Sequence, residues 1–228
     1  PMVVSGYRTQ KKQQQLYDDK VAGYRKEGNS QSEAEELAKQ WVSVPGYSEH
    51  QIGLAVDING ATYDLYFWLQ ENSYKYGFIF RYPGDKTDIT GVAEEVWHYR
   101  YVGVEAATEM YEKGLCLEEY LAERQAYTLF GDKESPENSQ VNDTTTQGPD
   151  DVQVGLLDES SPQNTQPAND DTDWNLVLVN YENAIPENYE PKLVEVPGGE
   201  KVDERIYDPL MEMLEAAKEG NWDQLPMV

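Results

Sequence analysis

The sequence has few of the residues that would open alternative routes to its chemistry. Its 228 residues include one cysteine, Cys116. No internal disulfide and no multi-thiolate metal site can be built from a single thiol, and Cys116 reads as a small buried apolar residue. Histidine is nearly as scarce, with two residues, His50 and His98. No run of about 18 apolar residues is present, so no membrane-spanning helix is expected. There is no secretory leader pattern, and a chain beginning with Pro1 reads as an excised or incomplete piece. Positive charge is also sparse: 18 Lys and Arg stand against 43 Asp and Glu, for a net charge of -25. Such a chain repels polyphosphates and anionic membrane surfaces, which makes nucleic acid and anionic membranes poor candidates as partners. What is present is enough for one domain: 39% hydrophobic residues over a length that fits a single core, with or without a tail.

Composition divides the chain in three. Residues 1–129 and 173–228 carry apolar patterning. Between them, Gly131–Asp173 holds eleven acidic residues and one lysine among Asn, Gln, Ser, Thr and Pro, with no aromatic residue. A stretch of this kind cannot bury enough apolar surface to offset its chain entropy. Residues 130–172 are therefore expected to be an acidic disordered linker or spacer. In the first part, strands are expected at Met2–Val4, Leu54–Ile58, Phe78–Tyr82 and Trp97–Val102. Helices are expected at Thr9–Glu27, Thr62–Tyr76 ending at Gly77, Val104–Lys113 and Leu117–Arg124. Ser32 and Glu35 have capping-box spacing for a further helix. In the last part, Leu176–Asn180 reads as a strand and Pro209–Glu219 as an amphipathic helix. One strand and one helix would make a thin domain, so residues 173–228 are expected to complete the first part. Pro226-Met227-Val228 repeats Pro1-Met2-Val3, which suggests a rotated order or a window from a tandem array.

The two histidines sit in dense motifs, SEHQIGLAVDI at Ser48–Ile58 and EEVWHYRYVG at Glu94–Gly103. Two imidazoles and one carboxylate are a catalytic zinc ligand set that leaves a fourth position free. Asp57 is the candidate third ligand, because an unpaired carboxylate in the apolar stretch LAVDI would be costly. Glu95, three residues before His98, is placed to take a proton without ligating, and Glu94 is equally placed on composition. A His–Asp pair seven apart is by itself more often structural. In SGYRTQKKQQQL, Ser5–Leu16, Arg8 stands where a strand passes into a helix and can clamp a carboxylate or polarise a carbonyl. A surface salt bridge is the plainer alternative for Arg8, and core packing for the tyrosines and Trp97. Gln13 is able to face the same cleft.

Together SGYRT-x3-Q, SEHQ-x-GLAVDI and E-x-WHYRYVG, in this order, resemble the VanY-like D-alanyl-D-alanine carboxypeptidases. DWNLVLVNYENAIPENYEP and VDERIYDPLMEML resemble the part of those enzymes that normally precedes SGYR, so the order here looks circularly permuted. The resemblance implies an α+β fold, a small antiparallel sheet flanked by helices. It implies one zinc ion on His50, Asp57 and His98, with Glu95 as catalytic base and Arg8 stabilising the oxyanion. Gln13 and Ser48 would hold the substrate, a peptidoglycan stem peptide ending in D-Ala-D-Ala. It further implies a monomer at the outer, cell-wall face of a bacterium. An L,D-carboxypeptidase, a peptidoglycan endopeptidase or a wall-binding module without turnover are the alternatives. Val96 stands where the family often has Pro, and Glu94 where it often has an aromatic residue. A carboxylate at Glu94 is expected to raise the pKa of Glu95.

Overall fold

A computed structural model describes residues 1–130 and 173–219, with side chains through residue 126 in the first stretch. The acidic tract at 131–172 and the repeated Pro-Met-Val at the chain end lie outside the described residues.

The centre is a four-stranded antiparallel sheet. Its strands are β1 (Met2–Ser5), β2 (Ala55–Asn59), β3 (Phe78–Phe80) and β4 (His98–Tyr101), in the order β1-β2-β4-β3. Helices α1 (Gln10–Lys26), α2 (Gln31–Lys39), α3 (Asp64–Asn72), α4 (Thr87–Thr90), α5 (Val104–Lys113) and α6 (Leu117–Phe130) flank it. A hairpin of β5 (Leu193–Glu195) and β6 (Lys201–Asp203) and a final helix α7 (Tyr207–Glu219) complete the described chain. The expected α+β class, a small antiparallel sheet with helices around it, is what forms.

Local chemistry sets most boundaries. Thr9 caps α1 by accepting from the Lys12 amide, and Arg25 and Lys26 in the last turn suit the negative end of the helix dipole. The capping box forms at Ser30 and Glu33, not at Ser32 and Glu35. Both pairs have the same spacing, but Ser30 directly follows the turn at Gly28 and has the extended backbone a cap needs, whereas Ser32 is already helical. The helix expected at Thr62–Tyr76 is α3 followed by a tighter 3-10 turn, Ser73–Tyr76, that stops at Gly77 with φ 82°. Leu176–Asn180 is not a strand. A 3-10 turn covers Trp174–Leu176, and the carbonyls of Asn175 and Val177 are taken by the Arg100 guanidinium, which substitutes for a ladder partner.

One apolar core holds both parts of the chain. Val3, Ile52, Leu54, Val56, Ile58 and Tyr99 pack with Val179, Val196, Val202, Ile206, Leu210 and Met213. The backbone is stitched as well. Tyr7 N–H donates to the Lys201 carbonyl at 2.6 Å, and Asp203 N–H to the Gly53 carbonyl at 3.0 Å. Gly6 permits this approach: a Cβ there would sit 2.2 Å from the Lys201 oxygen. Among the described residues, no helix is long and apolar enough to cross a membrane.

Candidate metal centre

Strand pairing builds half of the site. In the β2–β4 ladder Asp57 lies opposite His98 and Ala55 opposite Arg100, so these side chains share one face. The alternate residues Val56, Ile58 and Tyr99 enter the core on the other face. His50 comes from a 3-10 turn, Glu49–Ile52, that is closed by Gly53 at φ 74°. A Cβ on Gly53 would also meet the Asp203 amide at 3.0 Å. Arg8 leaves the end of β1, and its amide donates to the His50 carbonyl at 3.1 Å. Glu95 lies in the loop before β4, where its amide donates to the Tyr82 carbonyl and its own carbonyl accepts from the His98 amide.

These elements bring His50, Asp57 and His98 together. One donor atom from each lies within 4.8 Å of the others, and all three residues are buried. His50 Nε2 is 3.3 Å and His98 Nδ1 3.2 Å from the same oxygen, Asp57 Oδ1. The two rings stand edge to face, 4.9 Å apart at 89°. Each imidazole is held from behind. His50 Nδ1 donates to the Gly6 carbonyl at 2.8 Å, which leaves Nε2 with its lone pair facing Asp57. His98 turns Nε2 toward Glu49 Oε2 at 3.5 Å, leaving Nδ1 inward.

Arg8 grips the other oxygen of Asp57. Its Nη2 donates to Asp57 Oδ2 at 2.7 Å and its Nε to Ser5 Oγ at 2.9 Å. Gln13 is fully buried behind it; its Nε2 donates to the Ser43 carbonyl at 2.7 Å and its Oε1 accepts from Arg8 Nη1 at 3.5 Å. Ser48 is buried at the entrance to the His50 turn. Glu95 Oε2 reaches within 3.6 Å of His98 Nδ1, while Glu94 turns its carboxylate toward Gly84.

The electrostatics separate these groups. Burial pushes the Glu95 carboxyl up to about 7, with Asp57 and Glu49 adding to the rise and His98 and Arg8 opposing it. Glu94 is not among its leading causes. Burial lowers the His50 imidazole, against the pull of Asp57. Burial also disfavours a charged His98, but the Asp57 and Glu49 carboxylates outweigh it and raise His98 to about 9. Asp57 is held well below the carboxylate range, because the imidazoles overcome the cost of its burial.

The donor set fits a divalent metal. Asp57 Oδ1 is buried and has no hydrogen-bond partner, although it faces two ring nitrogens. A cation among the three would satisfy it. Nitrogen, nitrogen and carboxylate oxygen are the ligand types zinc accepts.

Sequence reasoning does not reach the buried ionic cluster beside the site, made of Glu49, Arg81, Arg100, Glu118 and Asn180. Arg81 Nε donates to Glu49 Oε1 at 2.8 Å, and Arg81 Nη1 and Nη2 form a fork on Glu118 at 2.9 and 2.6 Å. Asn180 donates to the same carboxylate at 3.0 Å. A signal exists for Arg100, two residues after His98 on a strand and so on the same face. For Arg81 and Glu118, 37 residues apart, no local pattern exists.

The chain is similar to proteins of one family. The VanY family model, D-alanyl-D-alanine carboxypeptidase, matches residues 1–104. A D-alanyl-D-alanine carboxypeptidase of Enterococcus faecalis is 60% identical over 126 residues, covering 53% of this chain and 47% of its own. The chain thus spans about half the length of the curated relatives it matches. Two solved structures are each 59% identical, covering 53% of this chain and 70% of theirs. One, with TM-score 0.51, is a mutant of a vancomycin-resistance D,D-pentapeptidase VanY in complex with Zn(II). The other, with TM-score 0.52, is VanYB in complex with D-alanine-D-alanine. The conjunction of a His-Asp-His cluster with these matches leads to one assignment: the chain belongs to the VanY D-alanyl-D-alanine carboxypeptidase family.

Proposed function

We propose that this chain is a zinc-dependent carboxypeptidase that removes the terminal D-alanine from peptidoglycan stem peptides ending in D-Ala-D-Ala. The observation that carries the reading is Asp57 Oδ1, a buried oxygen without a hydrogen bond, set 3.3 and 3.2 Å from two imidazole nitrogens. His50 through Nε2, His98 through Nδ1 and Asp57 would hold the ion. Zinc bound there supplies Lewis acidity, which polarises a carbonyl and makes water nucleophilic near neutral pH.

The remaining groups divide the work. Glu95 is the base: its carboxyl, lifted to about 7 by burial, can take a proton from the attacking water and return it to the leaving amine. The carbon–nitrogen bond between the two D-alanines breaks as that proton arrives. Arg8 stabilises the oxyanion, its planar fork already fixed by Ser5 and Asp57. Gln13 serves the substrate through Arg8, and Ser48 sets the entrance to the His50 turn.

We read residues 1–129 and 173–228 as one catalytic domain joined through the acidic segment 130–172, a reading supported by the core they share. A monomer acting at the outer cell-wall face suits a substrate that lies there. The test is incubation of the zinc-loaded chain with defined tri-, tetra- and pentapeptide stems, followed by mass spectrometry. Loss of one D-alanine from the pentapeptide is expected. Cleavage of the tetrapeptide alone would replace this reading with an L,D-carboxypeptidase, and an internal cut with an endopeptidase.

A further inference from the structure

The mechanism above leaves unused a buried carboxylate on the far side of His98. Glu49 is fully buried; its Oε1 is taken by Arg81 Nε at 2.8 Å and approached by Arg100 Nη1 at 3.1 Å. Its other oxygen, Oε2, has no hydrogen-bond partner, and neither does His98 Nε2. These two atoms face one another at 3.5 Å. An approach of a few tenths of an ångström would satisfy both.

We propose that Glu49 is a positioning residue for the metal site, accepting the Nε2 proton of His98 and so presenting the Nδ1 lone pair to the ion. This rests on the zinc reading of the preceding subsection. The two imidazoles are then held by unequal partners, His50 by the Gly6 carbonyl and His98 by a carboxylate. A carboxylate behind a ligating imidazole fixes the tautomer and raises ligand basicity. Glu49 is itself immobilised. Arg81 ties it to Glu118 of α6, and Glu118 accepts from Asn180. The ionic cluster that holds Glu49 thus extends to Asn180, a residue of the 173–219 part outside the matched family region.

Zinc affinity, measured by competition with a chromophoric chelator, tests this in wild type, Glu49→Gln and Glu118→Gln, with denaturant unfolding of the metal-free forms alongside. Glu49→Gln keeps the shape and is expected to weaken zinc binding by about 10- to 100-fold. Glu118→Gln loosens the same ionic cluster without touching His98, and is expected to lower stability but leave zinc affinity unchanged. Wild-type affinity in Glu49→Gln, or an equal loss in both variants, would reduce Glu49 to an ordinary ionic core residue and overturn the proposal. If Glu49→Gln does not fold, nitrogen-15 spectra of the histidine rings in the zinc-loaded wild type decide. A hydrogen-bonded, slowly exchanging proton on Nε2 of His98 supports the proposal; an Nε2 proton without a hydrogen bond, or a proton on Nδ1, overturns it. A wild type that binds no zinc at all overturns the underlying metal reading, and the proposal with it.

Discussion

Two buried polar clusters lie on either side of Glu49, and they are built on opposite principles. In the Arg81 cluster, opposite charges meet: the guanidinium is shared between Glu49 and Glu118, and Asn180 adds a further donor. Arg81 is fully buried yet every one of its nitrogens has a partner. Glu49 Oε2 and Arg100 Nη1 lack a hydrogen bond, but each faces an opposite partner, His98 Nε2 at 3.5 Å and Glu49 Oε1 at 3.1 Å. In the His50–Asp57–His98 cluster, by contrast, Asp57 Oδ1 has no hydrogen bond and faces two ring nitrogens. An ionic cluster whose opposite charges are paired holds a fold in place. One that keeps an acceptor open toward two ring nitrogens is completed only by something from outside. The difference separates scaffold from site without reference to any relative.

The sharpest way to break that contrast is at Glu95. Glu95→Gln removes the base and no ligand, so turnover should fall by about 10² to 10⁴-fold while zinc content stays at one ion per chain; peptide release assays and metal analysis on one preparation check both. Asp57→Asn attacks the open acceptor itself. It should weaken zinc by more than about 100-fold, more than any outer partner of an imidazole would, as read by chelator competition. On the ion-paired side, Arg81→Met leaves Glu118 without its cation and Glu49 with Arg100 alone. It should cost about 3–5 kcal/mol in denaturant unfolding of the metal-free chain.

The pH response sharpens the contrast further. His98 is raised from 6.5 to about 9 in the folded protein, so the folded state holds a proton that the unfolded chain gives up first. Its contribution to metal-free stability is complete below pH 6.5 and is lost as the pH climbs to about 9. Unfolding midpoints should decline across that window, and His98→Gln should flatten the decline. Zinc competes for that proton, so its stabilising effect should grow over the same range. The smallest effect is a surface control: Ser30→Ala removes half of the capping box on α2 and should cost about 1 kcal/mol with no change in zinc affinity.

The site was more legible in the sequence than its support. His50, Asp57, His98 and Glu95 lie in two short motifs, and a strand ladder that pairs Asp57 with His98 brings those motifs together. The strand at Met2–Val4 is read from the repeated Pro-Met-Val, whereas apolar patterning located β2, β3, β4 and the helix at Val104–Lys113, because burial leaves a local trace. It failed at Leu176–Asn180, where LVLVN has a strand's pattern but a distant guanidinium takes the carbonyls that a neighbouring strand would. The Arg81–Glu118 fork is invisible for the same reason. Its partners are far apart in the chain, and an arginine in FRYPG looks like any solvent-facing cation until it is found fully buried.

The account stands on three side chains meeting one ion, and a crystal structure of the zinc-loaded chain tests it most directly. It should show a single zinc at about 2.0–2.2 Å from His50 Nε2, His98 Nδ1 and an oxygen of Asp57, with solvent in the remaining position. Zinc bound elsewhere, or closed off by a fourth protein donor, would contradict it.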